Sequence, residues 1–250
     1  MRAVITGATS GIGKEMAVYL SQLGYDLILT GRNETMLRKL QQTLPTRVET
    51  ITLDLSEPRA PFQLYAFCKH KQVDLLVNNA GYGLFGPFDQ IDLEDELNML
   101  NVNIRALHIL TKLFLRDFKQ RNRGRILNVA SSAGFLTGPL LSSYYASKNY
   151  VVRLTLAIHE ELRRANSKVT VSLLCPGPVD TNFNNRAGVQ FSMPPASPER
   201  VARYGIDGAL KGKLILIPEL RVRLGVFGSR FVPHKLLSAI TYEIQKKTLK

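Results

Sequence analysis

The sequence predicts an α/β protein in which a doubly wound parallel sheet of about seven strands carries helices on both faces, giving three layers. Short apolar runs alternate with longer segments of helical periodicity, as in repeated strand–helix–strand units. The first run, 2–6, ends in the glycine-rich turn 7–13, and apolar residues then recur at helical spacing, at positions 16, 17, 20 and 23. Loops of small residues follow two later runs, at 78–81 and 176–177, where parallel strands would end at a common edge.

The remaining elements follow the same alternation. Six further apolar runs predict strands at 26–30, 48–53, 74–77, 125–130, 169–174 and 213–217. Helical periodicity predicts helices at 33–44, 61–71, 93–118, 142–165 and 198–210, and an amphipathic tail from residue 233. The long helix 93–118 is predicted to have Asn103 beside one apolar face, which consists of Leu97, Leu100, Ile104, Leu107 and Phe114.

Length and composition predict one compact domain over residues 1–250. Hydrophobic residues make up 45% of the chain and charged residues 21%, which excludes a disordered class. Cys68 and Cys175 have no metal-ligand spacing around them, so no metal site is expected. No basic-then-apolar leader follows Met1, and Arg223, Arg230 and Lys235 interrupt the most apolar late segment, 222–240. A cytoplasmic protein that does not span a membrane is therefore expected.

The net charge of +13 is concentrated in two segments. Residues 112–125 contain six Lys/Arg and Asp117, and residues 211–250 contain nine Lys/Arg with Glu219 and Glu243. Such patches attract nucleic acid, anionic lipid or an acidic carrier protein, although a solvated surface is the favoured interpretation. Neither segment has regular aromatic interleaving, so no nucleic-acid partner is expected.

Tyr144 and Lys148 lie four residues apart at the start of the predicted helix 142–165, and therefore on one face of it. A phenol has a pKa of about 10, and a neighbouring ammonium favours its ionised form. We interpret the pair as a general acid/base that exchanges a proton near neutral pH. An isolated pair of this kind is more often a plain helix start, so this interpretation depends on the other motifs.

The glycine turn 7–13 is typical of a Rossmann-like fold, because it lets the backbone approach a pyrophosphate at a helix N-terminus. The second strand ends in Gly31-Arg32, where folds of this type that prefer NAD place an acidic residue. A guanidinium there suits a 2'-phosphate, so NADP(H) is favoured over NAD(H). Asp54, at the end of the third strand, is expected either to meet the adenine amino group or to cap a helix.

Together these segments resemble the short-chain dehydrogenase/reductase family, in its ordinary-length branch. The match covers about residues 2–182 and depends on five motifs: Thr6-Gly7-x-x-x-Gly11-Ile12-Gly13, Asn78-Asn79-Ala80-Gly81, Ser131, Tyr144-x-x-x-Lys148 and Pro176-Gly177. The resemblance implies a nicotinamide cofactor and hydride transfer between it and a carbonyl or alcohol carbon. It also implies a homodimer or homotetramer built through the two long helices. The region from about residue 182 to 250 corresponds to the family's variable substrate-binding part.

The resemblance assigns a role to each catalytic residue. The acid/base falls on Tyr144, and the lysine that stabilises its phenolate and binds ribose falls on Lys148. The serine that polarises the carbonyl falls on Ser131, with Ser132 as the competing register. The asparagine that holds a water in the proton relay falls on Asn103, with Asn101 as the alternative. Tyr145, which faces about 100° away from Tyr144 on the helix, is interpreted as a packing residue.

The residues expected to bind the cofactor come from the glycine turn, the strand ends and the resemblance. They are Gly7, Thr9, Ser10, Gly11, Ile12, Gly13, Arg32, Asp54, Leu55, Asn79, Ala80, Gly81, Tyr144, Lys148, Pro176, Gly177, Val179 and Thr181.

The loop 182–196 is expected to form a substrate lid, because long loops at this edge of a parallel sheet often do. Phe183, Phe191 and Met193 suggest that the substrate is a small carbonyl compound or alcohol with a hydrophobic body. A reductase of the 3-oxoacyl-carrier-protein type and a catalytically silent nucleotide-binding regulator remain alternatives. The tail places Leu236, Ile240 and Ile244 on one face, and docking on the domain or a partner chain is favoured over an anionic membrane.

Overall fold

The computed structural model describes residues 1–181 and 195–247. Across these residues a parallel sheet has seven strands: β1 (Arg2–Thr6), β2 (Asp26–Gly31), β3 (Val48–Thr52), β4 (Leu75–Asn78), β5 (Arg125–Val129), β6 (Thr170–Leu174) and β7 (Ile215–Leu216). Their spatial order is β3-β2-β1-β4-β5-β6-β7, and each neighbouring pair is parallel. The predicted Rossmann-like fold class is therefore confirmed.

The helices are α1 (Gly11–Gln22), α2 (Glu34–Thr43), α3 (Ala60–Cys68), α4 (Leu93–Leu100), α5 (Leu107–Gln120), α6 (Ser142–Arg164), α7 (Pro198–Leu210), α8 (Leu220–Gly228) and α9 (His234–Lys246). Helices α1, α2 and α7 share one apolar cluster with the sheet, and α3, α5 and α6 share another. Successive residues of β1 separate these clusters, because Ile5 faces the first and Val4 the second. The sheet is consequently buried on both sides, which explains its near-continuous apolar strands.

Helix α8 has no counterpart in the sequence prediction. Gly225 and Gly228 fall within its nine residues, and glycine lowers helix propensity. Within residues 1–181 and 195–247, no helix is both long enough and apolar enough to cross a membrane.

The predicted long helix 93–118 is divided by a π-helical turn over Asn101–Ala106, between α4 and α5. A π turn inserts an extra residue, so the residues before it are rotated relative to a continuous α-helix. Leu97, predicted for the apolar face, is accordingly 45% exposed, while Met99 is buried instead. The same turn directs Asn103 into the protein, where its side chain is 1% exposed.

The strand order reverses between β1 and β4, which creates a crevice beyond the carboxyl ends of these strands. Thr6 links the two strand ends, because its hydroxyl accepts hydrogen bonds from the backbone amides of Asn79 and Ala80, both at 3.0 Å. The side-chain amide of Asn79 in turn donates, through Nδ2, to the Thr6 carbonyl at 3.0 Å and to the Gly7 carbonyl at 3.2 Å. These bonds fix the position of the glycine turn beside the crevice.

Candidate active site

A cleft of ≈ 920 Å3 runs along the carboxyl ends of the strands. Most of the predicted site residues line it: Gly7, Thr9, Ser10, Gly11, Ile12, Arg32, Asp54, Leu55, Asn79, Ala80, Gly81, Ser131, Tyr144, Lys148, Pro176, Gly177, Val179 and Thr181. Gly13 and Asn103 lie behind its wall. Residues from the loops after six strands therefore meet at one edge of the sheet, as the parallel order requires.

The glycine turn forms the floor of one end of the cleft. Gly7 and Gly11 have φ angles of 65° and 51°, in the left-handed region that side chains other than glycine rarely adopt. A Cβ atom at Gly11 would lie 2.9 Å from Cγ2 of Thr181, so a side chain would close this end. Ser10, the N-cap of α1, makes no side-chain capping bond, and the first turn contains no acidic residue. This helix end therefore suits a phosphate.

Gly13 packs behind the glycine turn and does not line the cleft. A Cβ atom there would lie 2.3 Å from both the Gly7 carbonyl oxygen and Nδ2 of Asn79. Gly13 is buried and lets α1 pack against the turn, whereas the prediction placed it in contact with the cofactor.

Arg32 and Asp54 face each other at the same end of the cleft, with Nη1 of Arg32 3.6 Å from Oδ2 of Asp54. Oδ1 of Asp54 accepts hydrogen bonds from the backbone amide and the hydroxyl of Ser56, at 2.9 and 2.8 Å. Burial alone would raise the pKa of Asp54, but the Ser56 bonds and the Arg32 charge outweigh it and lower the pKa. Asp54 is therefore ionised and stabilises its own turn, while the half-exposed guanidinium of Arg32 can still reach a ligand.

Tyr144 and Lys148 project from the first turns of α6 into the opposite end of the cleft, and both side chains are buried. Nζ of Lys148 donates to the Val129 carbonyl at 3.2 Å and lies 5.8 Å from the centre of the Tyr144 ring. Tyr144 also shares a hydrogen bond with Ser131, whose hydroxyl accepts from the backbone amide of Ala133 at 3.2 Å. The three predicted catalytic side chains thus meet, and Ser131 rather than Ser132 contacts the phenol.

Burial determines the protonation of this cluster. It raises the pKa of Tyr144 well above its usual range, and the Ser131 bond opposes this only in part. Burial also lowers the pKa of Lys148 to about 8. In the protein alone, burial opposes the effect of the ammonium that the sequence analysis expected, because loss of solvent favours the neutral form of each group. Tyr144 is therefore a neutral hydrogen-bond donor at physiological pH.

Asn103 supports this end of the cleft from the π-helical turn. Its Nδ2 donates to the Tyr82 carbonyl at 2.8 Å and to the Ser147 hydroxyl at 3.1 Å, and its Oδ1 accepts from the Tyr82 amide at 3.1 Å. Ser147 in turn donates to the Tyr144 carbonyl at 2.7 Å. Asn103 therefore joins the loop after β4 to the first turn of α6, and Asn101 makes no comparable contact among the described residues.

Tyr145 and Gln245 are among the polar residues of the cleft that the sequence prediction missed. Tyr145 lines the cleft rather than only packing, and its hydroxyl accepts a hydrogen bond from Nε2 of Gln245 at 2.6 Å. Gln245 and its neighbour Ile244 belong to α9. No sequence signal connects residues 100 positions apart, so only the fold reveals this pair. The proposed lid residues Phe183, Phe191 and Met193 lie outside the described residues.

Comparison with known proteins gives a consistent result. Residues 1–190 match a family model described as short chain dehydrogenase. An uncharacterized oxidoreductase of Staphylococcus epidermidis is 36% identical over 182 residues, which cover 72% of this chain and 78% of that protein.

Two solved structures resemble the chain over most of its length. A short-chain dehydrogenase from Sphingobium yanoikuyae in complex with NADPH has a TM-score of 0.82 and 27% identity, covering 92% of this chain and 93% of its own. A short chain dehydrogenase/reductase from Burkholderia phymatum in complex with NAD has a TM-score of 0.81 and 27% identity, covering 90% and 91%. One of these similar structures contains NADPH and the other contains NAD.

Proposed function

The chain belongs to the short-chain dehydrogenase/reductase family and is a nicotinamide-dependent oxidoreductase; from that premise we propose that it interconverts a carbonyl group and an alcohol with NADP(H). Tyr144 would act as the general acid/base. The observation that best supports this proposal is the meeting of Ser131, Tyr144 and Lys148 at one end of the cleft, with Arg32 at the other.

The residues of the cleft fit a dinucleotide. The open glycine turn and the uncapped start of α1 would hold the pyrophosphate, and Lys148 would bind the ribose next to the nicotinamide. When bound, the nicotinamide supplies or accepts the hydride. Gly81 leaves the space beside Lys148 open for the ribose, because a Cβ atom at this position would lie 3.1 Å from Nζ of Lys148.

The chain itself would contribute two things to the reaction: a proton from Tyr144 and a polar contact from Ser131. The neutral phenol of Tyr144 can donate its proton to a substrate oxygen during reduction, and it takes the proton back during oxidation. The Ser131 hydroxyl, which lies within hydrogen-bonding distance of that phenol, can stabilise negative charge on the same oxygen. The Lys148 ammonium favours the phenolate that remains after donation.

Arg32 is the basis for the preference for NADP(H). A planar guanidinium binds a phosphate through two parallel hydrogen bonds, whereas the unesterified 2'-hydroxyl of NAD offers it no charge. The nearby Asp54 carboxylate competes for Arg32 at 3.6 Å, so we expect a preference of about tenfold rather than a strict one.

The substrate is proposed to carry its carbonyl group on an apolar body. Tyr82, Leu141 and Ile244 line the cleft near Tyr144 and offer mostly apolar surface. The bonded pair Tyr145 and Gln245 adds a polar contact for one further group of the substrate.

A paired titration tests the cofactor assignment. Purified wild-type protein, Arg32→Ala and the control Arg38→Ala are titrated with NADPH and with NADH, following nicotinamide fluorescence. Arg38 is exposed on α2 and pairs with Glu34, away from the cleft. We expect Arg32→Ala to weaken NADPH binding about tenfold and to leave NADH binding unchanged, because only the phosphate contact is lost.

Equal affinities of the wild-type protein for the two cofactors would contradict the preference for NADP(H). Consumption of NADPH with a panel of ketones and aldehydes then tests the reaction. A protein that binds the cofactor tightly but turns over no member of the panel would support the silent regulatory alternative.

A further inference from the structure

Helix α9 packs on the domain with its polar side. Thr241 and Gln245 are buried, and the Ser238 hydroxyl lies 2.8 Å from the Thr137 hydroxyl. On the opposite side, Leu236 is 55% exposed and Ile240 44% exposed. The sequence analysis expected the tail to dock on the domain or on a partner chain, and the apolar face is not the one that docks on the domain. The helix docks, but through its polar face, because Gln245 and Ser238 find hydrogen-bond partners on the domain.

Helix α8 also presents an apolar stripe to the outside. Val226 is buried and Val222 packs with it against Ile217, while Leu220, Leu224 and Phe227 are exposed on the other side. The Phe227 ring meets the ring of Phe231 at a centroid distance of 5.5 Å, and Phe231 is 74% exposed. A Cβ atom placed at Gly225 or Gly228 would meet nothing within 4 Å, which shows how open this side is.

These exposed side chains form what we call the outer apolar surface: Leu220, Leu224, Phe227, Phe231, Leu236 and Ile240. They come from one short stretch of chain and include two aromatic rings. Large apolar side chains exposed in this number within one short stretch of chain indicate a surface that another molecule covers.

The part of the chain that carries this surface is predominantly positively charged. At about 100° per residue, Arg221 and Arg223 project on the two sides of the stripe formed by Leu220, Leu224 and Phe227. Residues 211–247 contain eight Lys/Arg against Glu219 and Glu243. The Glu219 carboxylate at the rim accepts a hydrogen bond from the backbone amide of Gly177 at 3.3 Å.

We propose that the outer apolar surface docks on an anionic lipid bilayer. Apolar and aromatic side chains enter the boundary between headgroups and acyl chains, and the flanking arginines extend their heads to the lipid phosphates. A second copy of the chain would bring two positively charged rims together, which favours the lipid as occupant. The docked surface borders the cleft, since Val222 contacts Gly177 and α9 contributes Ile244 to the cleft lining.

Vesicle co-sedimentation of the full-length protein tests this proposal. The probes are vesicles of phosphatidylcholine alone and of phosphatidylcholine with phosphatidylglycerol. We expect binding to the anionic vesicles only, and weaker binding as salt is raised, because part of the attraction is screened.

Two variants remove the two parts of the surface separately. Phe227→Ser/Phe231→Ser removes the aromatic contacts, and Arg221→Gln/Arg223→Gln removes two flanking charges. Each variant is expected to weaken vesicle binding about tenfold or more. For the arginine pair, one cation near an anionic surface contributes about fivefold. For the phenylalanine pair, the apolar area that enters the bilayer is lost. All four side chains are exposed, so thermal unfolding should match that of the wild-type protein.

The matched controls lie elsewhere on the molecule. Phe62→Ser removes an aromatic ring that is 50% exposed on α3, and Lys112→Gln/Arg116→Gln removes two charges from the other basic segment. Both controls should bind vesicles as the wild-type protein does.

Each of the following outcomes would overturn the proposal. The first is no binding to anionic vesicles, and the second is equal loss in the surface variants and the controls. The third is light scattering in which Phe227→Ser/Phe231→Ser dissociates an oligomer while vesicle binding is unchanged, which would identify a second copy as the occupant. Binding of a purified acyl carrier protein to the same surface, without vesicle binding, would likewise replace the lipid by an acidic protein.

Discussion

Helices α6 and α9 both depart from the usual rule that a surface helix buries apolar residues and exposes polar ones. They differ in which polar groups they bury and in what they leave exposed. Helix α6 buries a lysine and a tyrosine at its start, whereas α9 buries Thr241 and Gln245 and leaves Leu236 and Ile240 exposed. Burying the Lys148 ammonium on α6 opposes its charged form, which fits the catalytic role that we propose for it. The exposed apolar residues on α9 have no function within the domain and indicate an external surface.

The comparison also separates two uses of buried polar groups. On α6 the pKa values of Tyr144 and Lys148 are shifted by burial, and shifted pKa values are common at functional sites. On α9 the polar groups are neutral and hydrogen-bonded: the buried Gln245 bonds to Tyr145, and the half-buried Ser238 bonds to Thr137. We therefore expect changes on α6 to affect turnover and changes on the inner face of α9 to affect stability.

The largest expected effect is the loss of the Tyr144 hydroxyl. Tyr144→Phe should lower kcat by about 10²- to 10⁴-fold, because that factor is typical of a general acid/base. The control Tyr145→Phe removes the adjacent hydroxyl and should change kcat by only a few-fold. Steady-state rates with NADPH and an accepted ketone measure both. Similar losses in the two variants would show that the tyrosines share a structural role.

A second prediction concerns Lys148 and stability. The pKa of Lys148 in the folded protein, about 8, lies below its unfolded value of 10.5. The unfolded chain therefore binds more protons between these values, and stability should rise with pH from about 8 to 10. Lys148→Met should remove this rise and stabilise the protein at pH 7 by about 1–3 kcal/mol, while abolishing activity.

Urea unfolding at several pH values measures this effect. Lys39→Met is a suitable control, because Lys39 is exposed on α2. It should leave both the pH dependence and the stability at pH 7 unchanged. A destabilised Lys148→Met protein would mean that the bond from Nζ to the Val129 carbonyl outweighs the cost of burying the charge.

The smallest expected effect is a difference in the free energy of unfolding between variants on the two faces of α9. Gln245→Leu loses the hydrogen bond to the Tyr145 hydroxyl and should lower the free energy of unfolding by about 1 kcal/mol. Ile240→Ser, on the exposed face, should change it by less than about 0.5 kcal/mol. Chemical denaturation distinguishes the two, and an equal loss would show that Ile240 is covered in solution.

The sequence correctly predicted which residues meet at the cleft where they are close in the chain or follow strand ends. Tyr144 and Lys148 share a helix face because of their spacing, and Arg32 reaches the cleft because it ends a strand of a parallel sheet. Gly13 was assigned to the cofactor because spacing alone does not distinguish a glycine that meets a ligand from one that meets its own backbone. Leu97 was assigned to the wrong face because the π-helical turn leaves no clear mark in the pattern.

The sequence by itself determined the fold class, the order of most strands and helices, and the end of the sheet where the site lies. Those properties depend on local periodicity and on glycines, which act over a few residues. The tertiary structure alone decided the protonation of Tyr144, the pairing of Tyr145 with Gln245 and the outward direction of the apolar face of α9. These depend on loss of solvent and on contacts between distant parts of the chain, and neither quantity is encoded in the spacing of residues.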